Sequence, residues 1–453
     1  MQTLSRGGGM AVLYLTTFAA FSFYSLFSTT TAYFILVMIT ALSVSLSVAL
    51  GAEGLTILAL LGAYLTPMIM SIYKVDAISL FTYLLIINIG NVVIAYWYKW
   101  TKLNLLGVLC SFLLTFVWFG TRHVSDADRL LIFLFHTLYF AIYLCAGLMH
   151  HSFRKQISTE IDGLFVGING LVYAALGYNL LYPLYPDSMG MFMFVIAIVY
   201  FLVALISFET NRADKLINAI LPALSALFLT IAIPIHFHGS VIAVMWITEA
   251  LLMFIIEYVI RGKNLYIYGT IVYLLGLFNL YSLHLGLADP VHFVLIGNER
   301  FMLFAYAAIA AYVMAYIAST DSRRATHETA GSVKVLMAIL AEVVSLTIIT
   351  LETNSFFDRN SNGTLELTNM KNTTVSIVWI AYATLLTIIG FAGRYRTLRL
   401  GGLLLFFLTA FKIFVDLWAL GALYRIIASI VFGVVALLAS FAYTKFKDRL
   451  FVE

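Results

Sequence analysis

The sequence predicts an all-α, polytopic integral membrane protein of about sixteen transmembrane helices, laid out as tandem helical hairpins with a parallel internal repeat. Three observations carry that expectation. Hydrophobic residues fill 62% of the 453 positions and charged residues only 11%, where a soluble domain needs about 25% charged residues to cover its surface. Apolar runs of about 20 residues, long enough to cross a bilayer, succeed one another along the chain. Lysine and arginine concentrate in alternate connecting segments, as expected of a chain that weaves through a membrane.

The first apolar run, Met10 to Phe27, has no small-residue cleavage site and leads directly into a second. It is expected to stay as a helix rather than leave as a signal peptide. These two spans centre near Thr17 and Ile39. The third, around Gly62, is short and marked by Gly62-Ala63-Tyr64-Leu65-Thr66-Pro67, so a broken or re-entrant helix is one expectation there. Spans centred near Ile87, Phe112, Tyr139 and Gly170 follow, then Ile198, Ser225, Glu249 and Leu274, with Pro222 placed to kink the ninth. The remaining centres are Ile309, Glu342, Leu385, Leu408 and Val434. The chain reads as one transmembrane domain, 1–453. Its parts are 1–75, a possible diverged repeat at 76–186, repeat copies at 187–300 and 301–422, and a last span with a basic tail at 423–453.

Eighteen of the 26 basic residues lie in one set of alternating connections and seven in the other, with Lys412 inside a span. The positive-inside rule then puts both termini in the cytoplasm. The net charge of +4 reads as orientation chemistry facing anionic lipid. No long basic patch marks a nucleic-acid partner.

An ungapped internal match has an offset of 133 residues. It pairs Trp246 with Trp379, Ala250 with Ala383, Arg261 with Arg394, Gly269 with Gly402 and Phe278 with Phe411. Four spans separate the copies, so both have the same orientation, as in parallel-repeat transporters and stacked helical hairpins. Asn279 stands at the position of Lys412, Leu283 at that of Asp416, and Tyr382 at that of Glu249.

Charged groups at bilayer depth are the candidate sites, since each costs about 2.5–3.5 kcal/mol to insert. Lys412 and Asp416, spaced i, i+4, share a helix face, and Arg425 opens the last span within reach of Asp416. This trio reads either as a coupling group or head-group clamp, or as an ion pair tying the last helices together. Glu249 and Glu342 are lone mid-span carboxyls, read as protonatable coupling sites or as neutral hydrogen-bonded ties. Glu257 and Glu352 fall nearer span ends and are expected at the interface. His236 and His238 could share a metal but lack a third ligand, and His136 reads as a hydrogen-bonded core residue. The loop Asp358, Asn360, Asn362, Thr364, Glu366, Asn369 resembles a calcium loop weakly, with Asn369 replacing the closing glutamate. A plain polar turn is the competing reading. Cys110 and Cys145 lie in apolar spans and suggest neither a disulfide nor a metal site. No nucleotide-binding, serine-hydrolase or zinc-protease signature occurs, so no catalytic residue and no cofactor are assigned.

Four stretches resemble a known family. They are Leu61-Gly62-Ala63-Tyr64-Leu65-Thr66-Pro67; Ile233-Pro234 followed by Trp246-x-x-Glu249; Trp379 leading to Arg394-Tyr395-Arg396-Thr397-Leu398-Arg399-x-Gly401; and Phe411-Lys412-x-x-x-Asp416-Leu417 with Leu423-Tyr424-Arg425-Ile426. On these the chain is similar to the uncharacterised bacterial polytopic membrane proteins of domain-of-unknown-function family 2339. It reads as a short member lacking the N-terminal coiled-coil region. The resemblance implies a many-span protein of the bacterial inner membrane and supplies no activity.

Three function classes compete. A transporter or flippase for an envelope lipid or glycan would place Lys412, Asp416, Glu249 and Glu342 on a wetted cavity. A non-catalytic scaffold, or partner subunit of an envelope assembly, would keep these charges dry and paired beside a lateral groove. A membrane transferase would gather polar pairs at one membrane face. The transporter reading is taken forward, with membrane lipid as an obligatory partner, a protein partner in the membrane as a further one, and scaffold as the alternative.

Overall fold

The computed structural model describes residues 2–69, 76–98, 100–120, 124–148, 157–260, 265–285, 294–320, 328–359, 365–393 and 395–418, with 426 and 430. Among these there are fifteen α-helices and no strand. A chain this apolar has no choice in the matter: within lipid every backbone polar group needs an internal partner, and an α-helix supplies it within one segment. Twelve helices are long and apolar enough to cross a membrane, while the first three carry shorter apolar stretches, Val12–Phe21, Phe34–Ala49 and Glu53–Met68. Each of the first fifteen expected centres falls in its own helix; the sixteenth, near Val434, lies outside the described residues.

The chain forms two compact units, Met1–His236 and Phe237–Glu453. The first holds α1 (Gln2–Ser22), α2 (Thr29–Ala49), α3 (Glu53–Ile69), α4 (Ala77–Tyr98), α5 (Lys102–Gly120), α6 (Asp126–Leu148), α7 (Glu160–Leu181), α8 (Met189–Thr210) and α9 (Ile217–His236). The closest pairs are the hairpins α2–α3, α6–α7 and α8–α9, while α4 packs on α6, α5 on α7 and α7 on α9. Polar residues between the spans start the helices. Ser28 caps α2, Asp76 caps α4, Ser125 caps α6 and Thr159 with Asp162 forms a capping box on α7. Asp214 accepts from the Ile217 amide at 3.3 Å and from the Ser158 amide at 3.0 Å, so one carboxylate ties the starts of α7 and α9.

The third helix is unbroken from Glu53 to Ile69. The glycine and proline that suggested a break have packing roles instead. A side chain at Gly62 would collide with the Tyr14 ring of α1. Pro67 has no N–H to give the Ala63 carbonyl, and Tyr83 of α4 donates to that oxygen at 2.8 Å. The ninth helix likewise continues through Pro222 and Pro234.

The second unit holds α10 (Ser240–Ile260), α11 (Leu265–His284), α12 (Glu299–Thr320), α13 (Glu328–Arg359), α14 (Leu365–Ala392) and α15 (Arg396–Trp418). It is a row of hairpins, α10–α11, α12–α13 and α14–α15, with α10 on α12, α11 on α13 and α13 on α15. Small residues allow the close approach expected between membrane helices. Ala307, Ala308, Ala311 and Ala315 are buried along α12. A Cβ at Gly269 would lie 3.1 Å from the Ala250 carbonyl oxygen, and one at Gly402 would lie 2.9 Å from that of Ala383. The 32 residues of α13 and 28 of α14 span about 48 and 42 Å, longer than a hydrocarbon core of about 30 Å.

Leucine, isoleucine, valine and phenylalanine also cover the outer surfaces, as at Leu202, Leu205 and Ile206 of α8, about half exposed. Contiguous apolar surface of this extent needs an apolar environment. The chain is a multi-pass membrane protein whose outer faces meet lipid.

Candidate functional site

Helices α13, α14 and α15 enclose a groove of about 490 Å³ in the second unit. Its rims are Val335, Ile339 and Val343 of α13 and Leu400, Leu404 and Leu408 of α15, each close to half exposed. Its base includes the buried Leu386 and Leu405. Each rim is an i, i+4 stripe, so a helix on either side offers one continuous apolar wall. Among the described residues, two charged ones line the groove, Glu342 and the exposed Arg396.

Gly401 makes room for the glutamate: a side chain there would occupy the position of the Glu342 carboxylate. Glu342 Oε1 is buried and finds no hydrogen-bond partner among the described residues. Behind it, the hydroxyls of Tyr312 and Tyr382 lie 3.2 Å apart, and Ser345 bonds to both.

Lys412 pairs with Asp416 and donates to the Asn372 carbonyl at 3.2 Å and to Ser376 Oγ at 3.0 Å, both on α14. The pair is therefore compensated, and it fastens α15 to α14. Lys412 also follows Gly401 by eleven residues, three turns and about 20°, so it sits on nearly the same face of α15 about 16 Å further on. Arg425 lies outside the described residues. Glu249 is elsewhere, buried between α10 and α11, with the Tyr268 hydroxyl 3.4 Å from its Oε1. Of the five charged candidates, Glu342, Lys412 and Asp416 thus belong to one side of the second unit and Glu249 does not.

The calcium-loop residues lie only partly among the described residues. Asp358 belongs to α13 and accepts from Lys371 Nζ of α14 at 2.8 Å, which closes that hairpin. Asn360, Asn362 and Thr364 lie outside the described residues, and the side chains of Glu366 and Asn369 are not among those described. His236 ends α9, and both it and His238 are exposed. Among the described residues no three histidine, cysteine or carboxylate side chains gather as a metal site.

Two polar clusters escaped the sequence reading. Glu352, expected at an interface, is 5% exposed and pairs with Arg300 at 3.2 Å. It also accepts from Asn298 Nδ2 at 2.9 Å and from the Ile296 amide at 3.0 Å, and Arg300 bonds Ser355 at 2.8 Å. Glu257 is fully buried and accepts from the Leu265 amide at 3.0 Å, so it joins the end of α10 to the start of α11.

In the first unit, Asn88 Oδ1 accepts from Tyr64, Tyr143 and Ser111 at 2.7, 2.8 and 3.1 Å. His136 lies beside this cluster, 3.0 Å from Thr115 Oγ1 and 3.0 Å from the Ile132 carbonyl, as a hydrogen-bonded core histidine. A cavity of about 20 Å³, bounded by Ser111, His136, Tyr139, Tyr143 and Asn169 among others, has room for one water. Asn88 and Asn91, two amides three residues apart in an otherwise apolar run, were the available signal for this cluster.

The profile of a family described as predicted membrane protein (DUF2339) matches residues 2–264 and 257–446. No curated protein and no solved structure matches the chain. With nearly its whole length covered by that profile, the chain belongs to the DUF2339 family of membrane proteins.

Proposed function

We propose that this protein is a transporter or flippase-like protein of the bacterial cytoplasmic (inner) membrane, handling an envelope lipid or glycan, with both termini cytoplasmic. The observation that carries the reading is the groove beside α15. Its apolar rims suit an acyl or polyprenyl chain, while Glu342 at its base offers a polar group that such a chain does not need. Its volume falls in the range of about 300–1,000 Å³ common to ligand sites. A polar group part-way along an apolar path lowers the cost of moving a head group past it. Lys412 and Asp416, further along the same face of α15, continue that track.

The internal sequence match at an offset of 133 fits the same reading, since parallel repeats occur in transporters. Gly269 and Gly402, matched at the 133-residue offset, each approach the carbonyl of a matched alanine across their hairpin. The compensated state of Lys412 favours the alternative, a scaffold that presents the groove to a protein partner, for that pair alone.

The test is lipid movement in vesicles containing the purified full chain. Tail-labelled lipids of several head-group classes are followed by the fraction exposed to an impermeant quencher. Movement above that of protein-free vesicles is expected, and Gly401→Leu, which fills the groove, slows it. Rates equal to those of protein-free vesicles for every class tested would remove the transporter reading and leave the scaffold.

A further inference from the structure

We propose that the groove takes a zwitterionic, amine-headed phospholipid, its ammonium on Glu342 and its phosphate at Arg396; this rests on the reading of the groove as a lipid path. Two hairpins of the chain differ at the decisive place. In α10–α11, Tyr268 reaches the Glu249 carboxylate. At the 133-residue offset these positions become Tyr382 and Gly401. The hairpin α14–α15 therefore keeps a tyrosine in place of the glutamate and has no side chain in place of the tyrosine. The carboxylate arrives from a third helix, as Glu342 of α13, and fills the space that a side chain at 401 would take.

In α10–α11 the protein itself brings a phenol to the carboxylate. In the groove, Glu342 Oε1 is buried without a partner among the described residues, and the nearby phenols of Tyr312 and Tyr382 are bonded to each other. A carboxylate can only accept hydrogen bonds, and one held among aliphatic walls needs compensation by a donor, best a charged one. No donor among the described residues reaches it, and the occupant of the groove supplies one.

The charges order the ligand. Arg396 lies five residues before Gly401 on α15, about 7.5 Å along the axis. The buried oxygen of Glu342 and the exposed Arg396 complement a head group with ammonium inward and phosphate outward. A primary amine has N–H groups to give, whereas a quaternary ammonium has none. An anionic, hydroxyl-headed lipid would bring like charge to Glu342.

Native mass spectrometry of the full chain in detergent tests this. The protein is offered equal amounts of phosphatidylethanolamine, phosphatidylcholine and phosphatidylglycerol with identical acyl chains. The ethanolamine lipid is expected to be retained over each of the others by about tenfold, the worth of one hydrogen bond to a charged group. Glu342→Gln, nearly the same in shape, brings the ratio close to one. Parity in the unaltered protein, a preference for phosphatidylglycerol, or a preference surviving in Glu342→Gln overturns the assignment. The wild-type comparison needs no variant to fold. Lipid movement without this head-group preference overturns the present inference and leaves transport standing; preference without movement does the reverse.

Discussion

Replacing Glu352 with leucine should be among the most destabilising single changes in the second unit. It strips the carboxylate from Arg300, which is only 7% exposed, and removes the acceptor of Asn298 and of the Ile296 amide. A buried charge left without its partner costs about 3–5 kcal/mol. Ile296 adds to this, because its φ of 66° lies in the left-handed region. An isoleucine holds that conformation at a cost of about 1–3 kcal/mol, and its amide bond to Glu352 helps keep it there. The double variant Arg300→Met, Glu352→Leu removes both charges and should recover about 2–3 kcal/mol of the loss. Reversible unfolding by a denaturing detergent, read by tryptophan fluorescence, measures all three proteins against the wild type. A single variant within about 1 kcal/mol of wild type would refute the reasoning. So would a double variant no more stable than the single.

The remaining expectations concern packing, ties and orientation. Asn88→Leu denies an acceptor to three hydroxyls; at about 0.6 to 1.7 kcal/mol per bond between membrane helices, the loss should be about 2–4 kcal/mol. A change under about 1 kcal/mol in the same titration would show that those bonds contribute little. Gly402→Val pushes a side chain into the Ala383 carbonyl and should cost about 1–3 kcal/mol by overpacking; a neutral result would mean the hairpin relaxes freely. Lys412→Met should destabilise modestly by leaving Asp416 uncompensated, and adding Asp416→Leu should recover part of the loss. A double variant weaker than either single one would contradict this. In a chain with Cys110 and Cys145 replaced by alanine, Arg212→Cys should react with an impermeant maleimide only from the cytoplasmic side and Asp187→Cys only from the outer side. Labelling of the opposite pattern would invert the topology.

Much of the fold was legible because the bilayer imposes local rules. Helix existence and length follow from apolar runs, since each span must satisfy its own backbone. The Gly62–Pro67 segment shows the limit of such local signals. A glycine and a proline mark a break in a helix considered alone, but here they meet Tyr14 and Tyr83 from other helices.

The candidate site divides the same way. From its sequence the chain is all-helical and membrane-bound, and its costly residues stand out one by one, Glu249, Glu342 and Lys412 among them. Insertion cost belongs to a residue in its own helix, so it can be read in one dimension. Tertiary structure alone decided which of these residues are compensated. Glu352 finds Arg300 across 52 residues, Lys412 finds Ser376 across 36, and Glu342 Oε1 finds no partner among the described residues. Pairing depends on how far one helix slides and turns against another, and a shift of one residue turns a side chain by about 100°. That register arises from the packing of whole faces, small residues against large, and no local pattern encodes it.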